Sequence, residues 1–271
     1  MLMDLTLLCI GDIVGPAGRR VVREGLEDLV PRRGIDCVIA NAENVAGGSG
    51  LTAALYEKLL HYGIHLITLG DHLYRRGDII PVLETADNIV RPANLPAAAP
   101  GKESAIYETA SGHRVAVVSL LGRMYMKPPA NCPFAAADRV LAALPKDVRM
   151  IVVDMHAEAT SEKVAMGWHL DGRVSILFGT HTHVPTADEC ILPRGTAYIT
   201  DVGMTGPYDS VLGRIKERVL RTLISSVPTK FDVATGDPRL CGIIVRLDAA
   251  TGRARGIERI RYDGTTGTDT E

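Results

Sequence analysis

A layered α/β sheet carrying its functional groups at the carboxyl ends of the strands is the fold class that this sequence predicts, on three observations. Short apolar runs alternate with segments of helical spacing. The runs are nearly continuous in Val, Ile, Leu and Cys, as in strands buried on both faces, and each stops at a glycine or at a polar residue fit to bind a ligand. In such a sheet the polar ends gather along one rim.

The run 5–10 is the first strand and ends in Gly11-Asp12; Gly15-Pro16 then opens a helix over 17–30, with Val21, Val22, Leu26 and Leu29 at helical spacing. A second strand, 37–40, leads into Asn41, Glu43 and Asn44 and then the flexible Gly47-Gly48-Ser49-Gly50. An amphipathic helix over 52–61 closes at Gly63, and the third strand, 65–69, ends in Gly70-Asp71-His72. A short helix is expected at 79–83 despite Pro81, a loop at 92–101, a hairpin from 105–109 and 114–120 around Ser111-Gly112, and a helix over 134–144. The strand 150–153 carries Asp154, His156 and Glu158 at its end, and Ser161 supplies N-cap chemistry to the helix that follows. The strand 174–178 ends in Gly-Thr-His181-Thr-His183, and the strand 197–200 in Asp201. A helix over 214–226 and a closing hairpin, 240–247 with 254–262, complete the order.

At 271 residues, 46% hydrophobic and 23% charged, the chain suffices for one large core and has no low-complexity linker. A single domain over 1–263 is expected, with a disordered tail at 264–271 that has nothing to bury. A net charge of −2 argues against a broad nucleic-acid or membrane surface. Five cysteines, odd in number and without C-x-x-C, read as reduced, mostly buried thiols. The opening residues are too short an apolar stretch to span a membrane and lack a signal-peptide pattern, so a cytoplasmic protein is expected.

Two histidines two residues apart in extended backbone point to one side, as a chain presents imidazole nitrogens to a metal centre. An H-x-H alone is equally a pair of solvent-facing histidines; the weight comes from the other strand ends. The convergent inventory is Asp12, Glu43, Asn44, Asp71, His72, His156, His181 and His183. Carboxylate, amide and imidazole together suit two divalent transition metals, Mn or Fe first and Zn or Ni as alternatives, rather than the oxygen shell of calcium or the thiolate shell of structural zinc. Two such ions can clamp phosphate oxygens during in-line attack, which makes phosphoester hydrolysis the natural chemistry.

The blocks Gly11-Asp12, Asn41-Ala-Glu43-Asn44, Gly70-Asp71-His72, Asp154 to Lys163 and Gly179-Thr-His181-Thr-His183 resemble, in order, the signatures of the calcineurin-like metallophosphoesterases. With the Thr180-His-Thr-His-Val-Pro-Thr-Ala-Asp188 and Thr200-Asp-Val-Gly-Met-Thr-Gly-Pro207 blocks, the chain is most similar to the bacterial YmdB-like group over residues 5–262. The resemblance implies a four-layer αββα sandwich, a dinuclear centre and hydrolysis of 2′,3′- or 3′,5′-cyclic nucleotides. Position by position it implies that Asp12, Glu43, Asn44 and His183 hold one metal, that Glu43 bridges to a second completed by Asp71, His156 and His181, and that His72 is the catalytic general acid or phosphate stabiliser. Two positions depart from the wider family. Val14 stands where most members have histidine, Asn44 taking its place, and Asp71 stands where asparagine is usual, adding a negative charge.

Arg19, Arg20, Arg75, Arg76 and Arg123 read as solvated rather than phosphate-binding, His61, His65, His113 and His169 as bystanders, Trp168 as a core residue, and Asp154 and Asp201 as acceptors that orient ligand histidines or cap turns. The leading function is thus a metal-dependent phosphodiesterase acting on a small cyclic nucleotide. A phosphatase or RNA phosphodiesterase with the same centre, or a slow metal-bound regulatory module, stands as the alternative; a homo-oligomer is left open. An amidohydrolase is disfavoured because its H-x-H follows the first strand.

Overall fold

The computed structural model describes residues 4–264. The chain opens with β1 (Asp4–Ile10), α1 (Gly15–Arg33), β2 (Cys37–Asn41), α2 (Ala53–His61), β3 (Leu66–Thr68), α3 (Ile80–Thr85) and β4 (Ile89–Val90). It continues through β5 (Ser104–Glu108), β6 (Arg114–Leu121), α4 (Pro133–Ala143), β7 (Met150–His156), α5 (Thr160–Leu170), β8 (Ile176–Thr180), β9 (Cys190–Ile191) and β10 (Ala197–Ile199). The last elements are β11 (Gly206–Pro207), α6 (Lys216–Ser225), β12 (Pro238–Asp248) and β13 (Ala254–Tyr262).

Local chemistry sets the helix ends. Pro16 sits in the first turn of α1, where its missing N–H is not needed, and Gly34 closes the helix at φ 58°, its N–H donating to the Val30 carbonyl. Thr52 caps α2 by accepting the Leu55 N–H.

Two sheets form. In the first the order is β11-β12-β1-β2-β3-β4, with β13 also paired to β12; β1 to β4 run parallel and β12 antiparallel to β1. In the second the order is β5-β6-β7-β8-β10-β9, parallel through β6, β7, β8 and β10. Side-chain alternation explains the layering. Leu5, Leu7, Cys9, Cys37 and Ile39 of the first sheet face Val115, Val117, Val152, Ile176 and Phe178 of the second. The intervening Leu8, Ile10, Val38 and Ala40 pack with α1 and α2 residues, whereas Ala116, Val118, Ile151, Val153 and Leu177 pack under α4 and α5. The result is helix, sheet, sheet, helix. Each buried side chain of the central layer is worth roughly 1.5 to 3 kcal/mol, which makes that layer the part that sets how the two sheets align.

Several expectations need correction. Trp168 is 59% exposed, because α5 buries the stripe Lys163, Met166, Gly167 and Leu170 and turns Trp168 outward. The helix starts at Thr160 with Ala159 in the cap position and no side-chain cap; Glu162 instead accepts the Arg123 and Met124 N–H groups. The helix expected from 214 begins at Lys216, since Arg214 pairs in extended form with Val211 and Val233. The two-residue strands β4, β9 and β11 fall below the length at which a pattern shows. Cys9, Cys37 and Cys241 are buried free thiols, the first two pushed to high pKa by burial, whereas Cys132 and Cys190 are exposed. Among the described residues no helix is long and apolar enough to cross a membrane. The tail expected to be disordered lies, beyond Gly264, outside the described residues.

Candidate metal centre

The carboxyl ends of the two sheets meet at one rim, and they contribute different chemistry. Asp12 follows β1, Glu43 and Asn44 follow β2, and Asp71 and His72 follow β3, so the first sheet supplies mostly oxygen. His156 ends β7, while His181 and His183 follow β8, so the second sheet supplies nitrogen. Asp12, Glu43, Asn44 and His156 are buried. His156 reaches the first sheet only because residue 70 is glycine: a Cβ there would lie 2.2 Å from the His156 ring.

The histidine pair departs from the extended geometry expected of it. His181 has φ 96° and His183 φ 65°, left-handed values that cost about 1 to 2 kcal/mol each for residues with a Cβ. The two imidazoles consequently serve different neighbours. His181 Nδ1 lies 3.1 Å from His156 Nε2 and 3.4 Å from Asp71 Oδ1, which is itself 3.0 Å from His156 Nε2. His183 Nε2 lies 3.3 Å from Asn44 Nδ2 and 3.9 Å from Asp12 Oδ1. Glu43 Oε1 stands between, 3.4 Å from His156 Nε2 and 3.1 Å from Asn44 Nδ2.

This spacing fits metal ligation. Ligands bonded at 2.0 to 2.2 Å in tetrahedral or octahedral arrays lie about 3.0 to 3.6 Å from one another, and the Asp71, His156 and His181 triangle falls in that range. The outer partners fit as well, because each imidazole turns its other nitrogen to an acceptor. His156 Nδ1 donates to Thr180 Oγ1 at 2.8 Å, and that hydroxyl donates to Asp154 at 2.6 Å. His181 Nε2 faces Glu158 at 3.2 Å, and His183 Nδ1 donates to the Leu212 carbonyl at 3.1 Å. With the outer nitrogens so engaged, the inward nitrogens are the ones that a cation would meet, each giving up its proton to bind. Asn44 is the exception. It presents its amide nitrogen to Asp12 and Glu43 and its Oδ1 to His72, so it ligates only with the amide turned over.

The strained triplet is held from behind. Thr182 donates its N–H and its hydroxyl to Asp201 Oδ2, at 3.2 and 2.7 Å, and Lys163 Nζ reaches the same oxygen at 2.6 Å. Lys163 and Asp201 are both buried. Asp201 therefore orients no histidine directly; it fixes the residue between two of them. Asp154 acts on His156 through Thr180.

Electrostatics point the same way. Burial by itself raises the Glu43 carboxyl, but the charge and hydrogen bond of His156, with His72, outweigh it and hold the group well below the ordinary carboxylate range. Asp71, likewise raised by burial, is pulled low by its hydrogen bonds to His156 and His181. Burial lowers His156, yet Glu43 and Asp71 raise it well above a free imidazole. Such a cluster holds excess negative charge that protons or cations must neutralise. Asp154, sealed off from water, is raised to about 6.

His72 lies at the edge, 27% exposed, with Nδ1 2.7 Å from Asn44 Oδ1 and its backbone N–H on Glu43 Oε2 at 2.9 Å. Asp71 turns into the cluster and not toward Arg75 or Arg76. Arg19 and Arg76 bond the carbonyls of Val45 and Ala46, and Arg214 that of Gly48, so three arginines brace the glycine-rich loop beside Asn44. Reasoning from sequence placed Glu158 at a strand end without giving it a role, and gave none to Arg214, Thr180, Lys163 or the Leu212 carbonyl. Only Glu158 carried a signal, standing two residues after His156 in the long block.

Comparison with known proteins agrees with this geometry. The profile of the YmdB-like protein family matches residues 8–260. The chain belongs to the YmdB-like family. This YmdB-like chain is 45% identical over 256 residues to a protein of Bacillus subtilis named 2′,3′-cyclic-nucleotide 2′-phosphodiesterase, covering 94% of the chain and 96% of the relative. A crystal structure from Mycoplasma pneumoniae described as a novel phosphatase superposes with TM-score 0.90 at 34% identity, over 97% of this chain and 94% of that one. A hypothetical protein from Thermus thermophilus superposes with TM-score 0.89 at 39% identity, over 96% and 99% respectively. The two-sheet α/β sandwich of the metallophosphoesterase type, expected from the resemblance, is the fold observed.

Proposed function

We propose that the protein is a phosphodiesterase that opens small cyclic nucleotides, with two divalent transition metals, Mn or Fe, at the rim between the sheets. The observation that carries the reading is the set of three inward imidazole nitrogens facing Asp12, Glu43 and Asp71 across the two sheets. Asp12, Glu43, Asn44 and His183 would hold one ion and Glu43, Asp71, His156 and His181 the other. Such a pair supplies Lewis-acid activation of the phosphate and of the attacking water. The 2′,3′-cyclic class is the first choice, on the activity for which the Bacillus relative is named, with 3′,5′-cyclic substrates second.

The chain's own contribution is orientation and proton delivery. Hydrolysis forms one P–O bond to water, breaks one to a ribose oxygen and leaves that oxygen in need of a proton. His72, held at Nδ1 by the Asn44 amide, whose nitrogen takes that contact once the amide is turned over, is assigned to deliver it from Nε2. The buried carboxylates keep the ligand atoms in place before substrate arrives, so little reorganisation is left for the reaction.

Turnover of purified, Mn-loaded protein on 2′,3′-cyclic AMP, 3′,5′-cyclic AMP and bis-nitrophenyl phosphate tests the reading. We expect hydrolysis of the 2′,3′-cyclic substrate to a phosphomonoester. Activity on monoesters with none on any diester would overturn it in favour of a phosphatase.

A further inference from the structure

The opposite ends of the same strands hold a second feature. Where β7, β8 and β10 begin, the turns 171–174, 194–195 and 250–253 border an open cavity of about 540 Å³, within the range of small-ligand sites. Strand β7 runs from this cavity to His156, seven residues, or about 20 Å at the rise of an extended chain, so the cavity is no part of the rim.

Four arginines line it, Arg149, Arg173, Arg194 and Arg253, and no carboxylate does. In a chain of net charge −2 this is a concentrated positive field. Arg149 is satisfied by the Ala250 carbonyl and Arg173 by Asp138. Among the described residues, no hydrogen bond or ion pair engages the guanidinium of Arg194 or Arg253. Their placement is nonetheless defined. A Cβ on Gly172 would lie 2.6 Å from Arg194 Cβ, and one on Gly195 3.1 Å from Arg253 Cγ, so each arginine stem lies over bare backbone that only glycine leaves open. Both glycines have positive φ, 76° and 98°. The turns are also tied down, with the Arg194 N–H on Asp171 at 3.0 Å and the Ala254 N–H on the Gly195 carbonyl at 2.9 Å. Two unpaired guanidinium forks held beside two others repel one another until an anion comes between them, and planar forks pair with phosphate oxygens two at a time.

We propose that this cavity binds a phosphate-bearing anion of mononucleotide size, separately from the metal-ligating rim. The test is isothermal titration of the metal-loaded protein with adenosine 5′-monophosphate, alongside the fluorescence of Trp168, the only tryptophan, two residues before the end of α5. The expected result is a binding event that Arg194→Ala/Arg253→Ala weakens by about tenfold or more and that Arg194→Lys/Arg253→Lys weakens nearly as much, since lysine keeps the charge but loses the fork. Turnover at the rim without added nucleotide should stay within about twofold, because neither arginine touches it. Equal affinity in all three proteins overturns the proposal. Full retention by the lysine variant also overturns it, by reducing the cavity to a general charge field. A hexanucleotide that outcompetes the monophosphate at the same arginines supports the phosphate chemistry and identifies an RNA chain as its source. None of these outcomes depends on which ester the rim hydrolyses.

Discussion

The two sheets prepare their halves of the centre differently. The carboxylates of the first sheet double as structural ties: Asp12 Oδ2 accepts the His181 N–H at 3.0 Å and Glu43 Oε2 the His72 N–H at 2.9 Å. The imidazoles of the second sheet are oriented from outside, by Thr180, Glu158 and the Leu212 carbonyl, and two of them sit on strained backbone held through Thr182. The oxygen side is therefore fixed by backbone N–H groups, one from each sheet's loops, and the nitrogen side by a layer of partners behind it. Substitutions one layer removed from the ligands should hurt the second sheet's half more than the first's.

The largest effect is expected where the sheets touch. Gly70→Ala places a methyl in the His156 ring and should reproduce His156→Ala, with activity at background and metal content reduced to about one ion per chain. Full metal content in both variants, by elemental analysis, would remove His156 from the ligands.

Next is His72, the edge residue. His72→Ala should keep the metal and lose on the order of 10² to 10⁴ in turnover on a cyclic nucleotide, with much of it recovered on a nitrophenyl ester whose leaving group needs no proton. The same loss on both substrates would cancel the acid role.

Lys163→Met tests the outer shell. It strands the Asp201 carboxylate without its cation, which should cost roughly 3 to 5 kcal/mol in denaturant unfolding and about 10- to 100-fold in metal affinity through the His181 to His183 segment. Adding Asp201→Asn should restore most of the stability and less of the affinity. If affinity is unchanged in the single variant, the pair only supports the fold.

A smaller effect separates charge from geometry. Asp71→Asn removes one negative charge from the rim without changing its shape. Phosphate should then inhibit more tightly and the alkaline-rising limb of the pH-rate profile should begin at lower pH, at unchanged metal content. An unmoved profile and unmoved inhibition would mean that the Asp71 charge is silent.

Much of this was readable in the chain because strand ends are punctuated. Apolar runs that stop at Gly11-Asp12 or Gly70-Asp71-His72 give both the strand and the rim residue in one pattern. What stayed hidden has physical reasons. Lys163 meets Asp201 across 38 residues, and a lysine in the core stripe of α5 breaks the apolar pattern that would have shown which way Trp168 points. The Leu212 carbonyl belongs to backbone and leaves no trace in residue type. The positive φ of His181 and His183 is uncommon for any residue with a Cβ, and the apolar run before them reads as extended, so no local reading finds it.

The proposed function requires that the rim gather two metals, one on each side of Glu43. Elemental analysis after saturating reconstitution with Mn, with His181→Ala and His183→Ala prepared alongside, tests it most directly. About two ions per native chain and about one in each variant are expected, because the two imidazoles face different partners. One ion or fewer in the fully loaded native protein would contradict it.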